Sequence, residues 1–301
     1  MKIIEINGLT KQYGDYKAVN NLSFDVENGK MIGFLGVNGA GKSTTINILS
    51  TILKMDAGDV LIDGLQLGKD DNKIRKTIGV VYQDNVLDER LTVEENISIR
   101  ARLAGVEKGT LKKELKELGE ILELNEILKK RYKVLSGGQK RRCEIAAALI
   151  HSPKILFLDE PTTGLDPATR IEVWNAVKSL RENKNMTVFL TTHYMEEAAT
   201  ADKIVIIDRG IKLAEGTPFE LKEKYAKEKL KLHFEKCNSQ KVLQSLSERE
   251  FSVQPYGADV IIKDSFESIE LIEKLRSMIT GFEVIAGNMD DVFINVTKEN
   301  R

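Results

Sequence analysis

Met31-Ile32-Gly33-Phe34-Leu35-Gly36-Val37-Asn38-Gly39-Ala40-Gly41-Lys42-Ser43-Thr44 decides the fold. The first five residues are an apolar run of strand length, and Ile46 and Leu49 after Lys42 continue at helical spacing. Between them, Gly36–Ser43 has the spacing G-x-x-x-x-G-K-[ST]. A strand that turns through glycines into a helix start aims main-chain N–H groups at one spot, and the helix dipole adds partial positive charge there. Such a spot takes phosphate. Gly36, Asn38, Gly39, Gly41 and Thr44 are therefore candidate binding residues. Lys42 is expected to reach the β- and γ-phosphates of a nucleoside triphosphate, and the Ser43 hydroxyl to bind Mg²⁺. The pattern says nothing of what the triphosphate's energy does.

Outward from this stretch, short β-branched runs alternate with longer helical patterns. Lys2–Ile6, Leu22–Val26, Ile78–Tyr82, Ile155–Leu158, Thr187–Thr191 and Lys203–Ile207 read as strands. Lys42–Leu53, Val93–Leu103, Leu111–Leu122, Gln139–Ile150 and Ala168–Glu182 read as helices. Several strands are apolar throughout, as in a parallel sheet buried on both faces. The alternation predicts an α/β fold with right-handed crossovers. The strands near Lys2 and Leu22 are too close for a crossover helix and are expected to form an antiparallel arm. Leu111, Leu115, Leu118 and Leu122 give the Lys/Glu-rich stretch Val106–Lys133 one apolar face, and Lys113/Glu117 and Lys116/Glu120 stand four apart as candidate pairs.

A second chemical signal lies at Ile155-Leu156-Phe157-Leu158-Asp159-Glu160-Pro161. An aspartate ending an apolar strand beside a phosphate loop is placed to hold Mg²⁺, directly or through water. Glu160 points the other way along the strand period and is expected to polarise water for in-line attack on the γ-phosphorus.

Length and composition bound the rest. The 301 residues leave room for one large or two ordinary domains, with 42% apolar and 30% charged residues in a globular balance. Forty-five basic residues against forty-six acidic ones argue against a nucleic-acid partner. Cys143 and Cys237 are expected to be free thiols. Met1-Lys2-Ile3-Ile4-Glu5 does not read as a signal peptide, and no apolar stretch approaches the roughly 20 residues that span a bilayer. The expectation is a cytoplasmic protein that meets a membrane only through a partner.

The pattern changes after Gly216-Thr217-Pro218, where Thr217 reads as a helix cap and Pro218 as a first helical residue. Beyond it come strand Lys229–Glu235, helix Ser239–Arg249, strands Phe251–Gln254 and Asp259–Lys263, helix Ser265–Met278 and strand Phe282–Ala286. This β-α-β-β-α-β order predicts a small α+β, ferredoxin-like domain over 219–301, separate from a nucleotide domain over 1–216.

At Leu135-Ser136-Gly137-Gly138-Gln139 the chain resembles the ATP-binding subunits of ABC transporters, whose signature motif these residues match. The resemblance covers Met1 to about Gly216, with the motifs in the family's order. It implies a RecA-like parallel core, an antiparallel β arm and a helical subdomain at about 90–150. It makes Tyr13 the aromatic that stacks on adenine and Gln83 the glutamine that meets Mg²⁺ and the attacking water. Gly164-Leu165-Asp166 matches the D-loop, with Asp166 at the nucleotide, and His193 matches the switch histidine at the γ-phosphate. It further implies that two copies sandwich two ATP molecules, each touched by Ser136 and Gly138 of the opposite subunit. The homodimer would drive a separate transmembrane permease, docked near Asp84–Leu103, from the cytoplasmic face of the membrane.

Within the family, Gly137–Arg142 and Pro161–Pro167 resemble bacterial ABC-2 exporters of the drug-resistance and sodium-efflux type. Asp290-Asp291-Val292-Phe293 reads either as the closing motif of their C-terminal extension or as a helix's first turn. Val37 stands where many relatives carry proline; it leaves the backbone donors intact. A translation-associated ABC ATPase would bring two cassettes and basic surfaces, and a low-turnover nucleotide sensor would not need both Glu160 and His193.

Overall fold

The computed structural model describes residues 1–263 and 265–299; Asp264, Asn300 and Arg301, within the expected C-terminal domain, lie outside the described residues. The chain divides into two compact units, Met1–Glu215 and Gly216–Arg301.

The centre of the first unit is a six-stranded sheet of β3 (Met31–Leu35), β6 (Ile78–Val81), β7 (Ile155–Asp159), β8 (Thr187–Thr192), β9 (Lys203–Asp208) and β10 (Ile211–Gly216). Its order is β10-β9-β3-β8-β7-β6, and β9, β3, β8, β7 and β6 run parallel. Every residue of β3, β7 and β8 is buried, the outcome expected of continuous apolar runs covered on both faces. The carboxyl ends of β3, β7 and β8 lie side by side, with Leu35 beside Thr192 and Asp159 beside Thr191. The loops after these three strands therefore share one edge, where open α/β sheets place their ligands.

A second sheet contains β1 (Lys2–Tyr13), β2 (Tyr16–Glu27), β4 (Ala57–Ile62) and β5 (Leu65–Gln66), in the order β2-β1-β4-β5. The expected arm is thus longer than Lys2–Ile6 and Leu22–Val26, and β4 and β5 join it. Asp63 and Gly64 both have positive φ, the two-residue turn that closes an Ile62↔Leu65 hairpin. Phe24 of the arm meets Phe34 and Phe189 of the central sheet at 5.4 and 6.1 Å between ring centroids, and Phe157 continues the stack. This aromatic column fastens the two sheets, since each buried ring removes on the order of 150–250 Å² from water.

Helices α1 (Lys42–Leu49), α2 (Asp71–Thr77), α3 (Val93–Leu103), α4 (Lys108–Ile121), α5 (Gly137–Leu149), α6 (Pro167–Lys184) and α7 (Met195–Ala198) complete the unit. α1 stops at Leu49 rather than Leu53, because Ser50 caps it and Thr51 turns to φ 65°. Leu118 and Leu122 of the α4 face are fully buried. Glu117, expected to pair with Lys113, instead bonds Lys184 of α6 together with Glu114. The packed neighbour offers a cation at 3.0–3.1 Å that an exposed intrahelical pair does not match.

The second unit begins with α8 (Pro218–Tyr225), where Thr217 and Glu220 form a reciprocal cap. Its sheet holds β11 (Glu228–His233), β12 (Phe251–Gln254), β13 (Gly257–Ile262) and β14 (Gly281–Ile285), in the antiparallel order β12-β13-β11-β14. α9 (Ser239–Ser245) and α10 (Ser265–Leu275) supply Val242, Leu271 and Leu275 to a core shared with Leu230, Leu232, Ala258 and Val260. Asp290 and Asp291 form the first turn of α11 (Met289–Glu299), the helix reading of that acidic pair. No helix among the described residues is long and apolar enough to cross a membrane.

Candidate active site

The loop from β3 into α1 is built around its glycines. Gly41 has φ 107°, and a Cβ there would lie 2.4 Å from the Ala18 carbonyl oxygen. Only glycine lets the loop close so tightly on β2. α1 therefore starts at Gly41 without any side chain bonded to its first N–H groups. Those donors are left for an anion. Lys42 folds back over the loop; its Nζ donates to the carbonyls of Gly36 (2.7 Å) and Val37 (3.3 Å) and stands 3.4 Å from Glu160 Oε1.

A cleft of about 470 Å³ opens above this loop. It is lined by Asn38, Gly39, Gly41, Lys42, Ser43 and Thr44 of the loop and helix start, by Gln83, Glu160, Thr163 and His193 from the loops after β6, β7 and β8, and by Tyr13, Tyr16 and Ala18 of the β1–β2 arm. Five expected elements thus meet at one place: the phosphate loop, the aromatic, the glutamine, the second acid and the histidine. Sequence reasoning missed Tyr16, whose hydroxyl donates to the Gly39 carbonyl at 3.2 Å, and Thr163, which donates to Glu160 Oε2 at 3.2 Å. Tyr16 is visible only once β1 and β2 are seen to form a hairpin.

Asp159 lies beneath the cleft. Its Oδ1 accepts from Thr191 Oγ1 at 2.5 Å and is 3.5 Å from Ser43 Oγ. A hydroxyl and a carboxylate oxygen that close, with the Gln83 amide lining the same cleft, form the all-oxygen donor set that suits a small hard cation.

The strand period predicts that Glu160 points opposite to Asp159, but β7 ends at Asp159 and Glu160 lies outside the alternation. It has φ 46°, a left-handed turn just past the strand, and its N–H donates to the Thr191 carbonyl and hydroxyl. The turn carries its carboxylate into the cleft, nine-tenths buried, between Lys42 and His193 Nδ1 at 3.1 Å. The His193 ring stacks on Tyr194 at 4.1 Å, and the Arg170 guanidinium covers the Tyr194 ring at 3.9 Å. Arg170 Nε also donates to the Leu165 carbonyl, tying the Gly164–Asp166 turn to the segment that carries His193.

Two buried charged side chains hold this constellation from behind. Glu197 of α7 accepts from Thr162 and from Thr192 Oγ1, at 2.6 Å for the latter, which joins the turn after Glu160 to the residue before His193. Arg141 of α5 donates to main-chain carbonyls of Tyr82, Asp159, Glu160 and Pro161. Burial pulls the Arg141 pKa below its ordinary value, with Glu144 opposing that shift. Glu144 Oε1 in turn accepts from the Val86 and Leu87 N–H groups and the Tyr132 hydroxyl, and burial with the Glu144 charge pushes the Tyr132 phenol well up.

Ser136, Gly138 and Asp166 are not among the residues lining the cleft. Ser136 caps α5, its Oγ accepting from Gln139 N while Gln139 Oε1 accepts from Ser136 N. At Gly138 a Cβ would meet Thr169 Cγ2 at 2.5 Å, so this glycine lets α5 pack against α6. Asp166 caps α6 and accepts from the Thr169 hydroxyl at 2.5 Å and N–H at 3.1 Å. Cys143 is buried and its thiol is pushed up to about 12 by desolvation, while Cys237 is exposed, so the two are free as expected.

The sequence model of the family described as ABC transporter matches residues 19–163. A daunorubicin/doxorubicin resistance ATP-binding protein of Streptomyces peucetius is 35% identical over 98% of this chain and 92% of its own. A linearmycin resistance ATP-binding protein of Bacillus subtilis is 40% identical over 73% of this chain and 70% of its own. Among solved structures, cbiO1 from Clostridium perfringens, part of an ABC transporter complex, has a TM-score of 0.68 at 26% identity, over 82% of this chain and 95% of that one. A dimeric post-hydrolysis state of an ATP-binding cassette bound to ADP and phosphate has a TM-score of 0.63 at 28% identity, over 71% and 98%.

Proposed function

The chain belongs to the ATP-binding subunits of ABC transporters, and from that premise we propose that it powers export through a separate permease by closing on two MgATP molecules as a homodimer. It binds ATP and is an ATPase whose hydrolysis is coupled to transport. The export reading rests on the drug-resistance relatives, and the permease on the family's division of labour. Attachment to the cytoplasmic face of the membrane through that permease follows from the same reading.

One observation carries the chemistry: the Glu160 carboxylate stands in the cleft between Lys42 and His193, above a helix start with free N–H donors. In this reading the loop Gly36–Thr44 wraps the phosphates and Tyr13 lies against adenine. Lys42 exchanges Glu160 for the β- and γ-phosphate oxygens. Ser43 and Asp159, with Gln83, would hold Mg²⁺, which neutralises phosphate charge when bound. Glu160 takes a proton from water as the water oxygen bonds the γ-phosphorus; the bond from that phosphorus to the β–γ bridging oxygen breaks, leaving ADP. His193, held by Glu160 and Tyr194, contacts the γ-phosphate.

Ser136, Gly138 and Asp166 belong to the opposing nucleotide in the dimer, which accounts for their places outside the chain's own cleft. The γ-phosphate then bridges two subunits, and its loss favours opening. Asp84–Leu103, whose Val86 and Leu87 are tied to Glu144, is the proposed permease-docking segment. The second unit's strand order, β12-β13-β11-β14, supports a ferredoxin-like accessory domain over 219–301.

The test is the size in solution of Glu160→Gln with and without MgATP. A monomer that becomes a dimer only with MgATP supports the sandwich. A chain that binds ATP and stays monomeric at saturation sinks it.

A further inference from the structure

Arg141 is 4% exposed, and what its guanidinium grips is main chain. Its Nε donates to the Pro161 carbonyl at 2.5 Å and one terminal nitrogen to the Tyr82 carbonyl at 2.5 Å. The other terminal nitrogen reaches the carbonyls of Asp159 and Glu160, each at 3.3 Å. The Asp159 and Glu160 carbonyls belong to the peptide planes on either side of the Glu160 α-carbon. The Tyr82 carbonyl belongs to the plane that leads into Gln83. One planar fork therefore holds the backbone of two cleft residues that follow two separate strands, β6 and β7.

Glu160 needs such a hold. Its φ of 46° is a left-handed conformation that costs a non-glycine residue energy unless its surroundings enforce it. In the strand conformation that β7 would otherwise continue, the carboxylate would leave the line between Lys42 and His193. Arg141 also lies on α5, five residues beyond Ser136, so the helix that starts at the signature motif ends this contact chain on Glu160.

We propose that Arg141 is a positioning residue for ATP hydrolysis: it locks the peptide planes around Glu160 and before Gln83 so that the carboxylate and the amide keep a fixed relation within the cleft. This rests on the ATPase reading of the same cleft. None of the four carbonyls that Arg141 bonds belongs to Gly36–Thr44, the loop expected to wrap the phosphates. Its loss is therefore expected in turnover and not in ATP binding.

The experiment measures ATP affinity and single-turnover hydrolysis of the full chain as wild type, Arg141→Gln and Arg141→Lys, alone and combined with Glu160→Gln. Arg141→Gln is expected to lower the hydrolysis rate by about 10–100-fold, the cost of a reacting group misplaced by a fraction of an ångström to one ångström. Its ATP affinity stays within about threefold of wild type, because the phosphate loop is untouched. Arg141→Lys recovers part of the rate, since an ammonium keeps the charge but cannot span both strands. In the Glu160→Gln background Arg141→Gln costs less than it does in the wild type, because one of the two groups it positions is gone and only the loss through Gln83 remains. Unchanged hydrolysis, equal losses of affinity and rate, or equal losses with and without Glu160 overturn the proposal. If Arg141→Gln does not fold, Arg141→Lys decides: a folded, ATP-binding chain with the wild-type rate overturns it. A wild type that binds ATP and hydrolyses it keeps the underlying reading even if Arg141 proves neutral. A wild type that does neither removes both.

Discussion

Two helix starts in the first unit carry small, glycine-rich sequences and end in opposite states. α1 opens at Gly41 with no side chain on its first N–H groups. α5 opens at Ser136 with a reciprocal cap, Ser136 to Gln139 and Gln139 back to Ser136. The first is prepared for an anion from its own cleft: its donors have no competitor, and glycine alone fits the backbone. The second is satisfied within its own chain, and in the proposed dimer a phosphate arriving from the other subunit would have to compete with that cap. A helix N-terminus is thus a binding site only to the extent that the sequence leaves it unpaid by its own side chains.

Gly41→Ala attacks that contrast hardest. The left-handed φ and the 2.4 Å approach to the Ala18 carbonyl leave no room for a methyl group. A loss of at least about 2 kcal/mol of stability is expected, with nucleotide binding lost as the loop opens. Urea denaturation and a fluorescent-nucleotide titration check both, and wild-type affinity in this variant would refute the account of α1.

Lys42→Ala keeps the backbone and removes the charge. Charge-assisted bonds of this kind contribute about 1.5–3 kcal/mol, so ATP affinity should fall by about 10–100-fold. The fold should survive, because Lys42 bonds only loop carbonyls and Glu160. Unchanged affinity by calorimetry would remove Lys42 from the site.

Ser136→Ala tests the other helix start. A lost cap costs about 1 kcal/mol, read as a lower midpoint in urea. ATP affinity of the single chain should not move, because Ser136 is outside the cleft. The ATP-dependent dimer of Glu160→Gln should weaken. A change in single-chain affinity would mean that Ser136 serves its own subunit's nucleotide.

The start of α1 was legible in the sequence, because a glycine-rich turn between an apolar strand and a helix leaves few alternatives; the start of α5 follows no strand, was marked by the family resemblance, and lies at Gly137, two residues before the expected Gln139. Met31–Leu35 and Phe251–Gln254 matched to the residue, and β7 to within one. The hairpin Ile62-Asp63-Gly64-Leu65 carried its turn signal openly, yet β4 has too few apolar residues to read as a strand alone. α11 went unread as a helix beyond its acidic first turn, although Met289, Val292 and Val296 recur on one face and are buried. The hold of Arg141 and Glu197 on the site was invisible for a different reason. Arg141 bonds carbonyl oxygens, which every residue has, and Glu197 bonds threonines thirty-five and five residues away. Nothing in a one-dimensional pattern marks such partners until the strands are laid side by side.

A third helix start completes the series. α6 is capped by a charge: Asp166 accepts from the Thr169 hydroxyl and N–H, and these bonds hold its carboxyl below the usual range. A depressed folded-state pKa means that the unfolded chain takes up the proton more readily. The cap's contribution is therefore complete above the unfolded value of about 3.9 and is lost as the pH falls through the lower folded value. Asp166→Ala should lower Tm at pH 7, by less than Gly41→Ala, and the gap to wild type should narrow between pH 4 and pH 2 or as far into that range as both chains stay folded. The Ser136→Ala gap should stay flat over the same range, because a hydroxyl does not titrate there. If the two gaps change together with pH, the acid is acting on something other than the Asp166 cap, and the distinction between a charged and a neutral helix start fails.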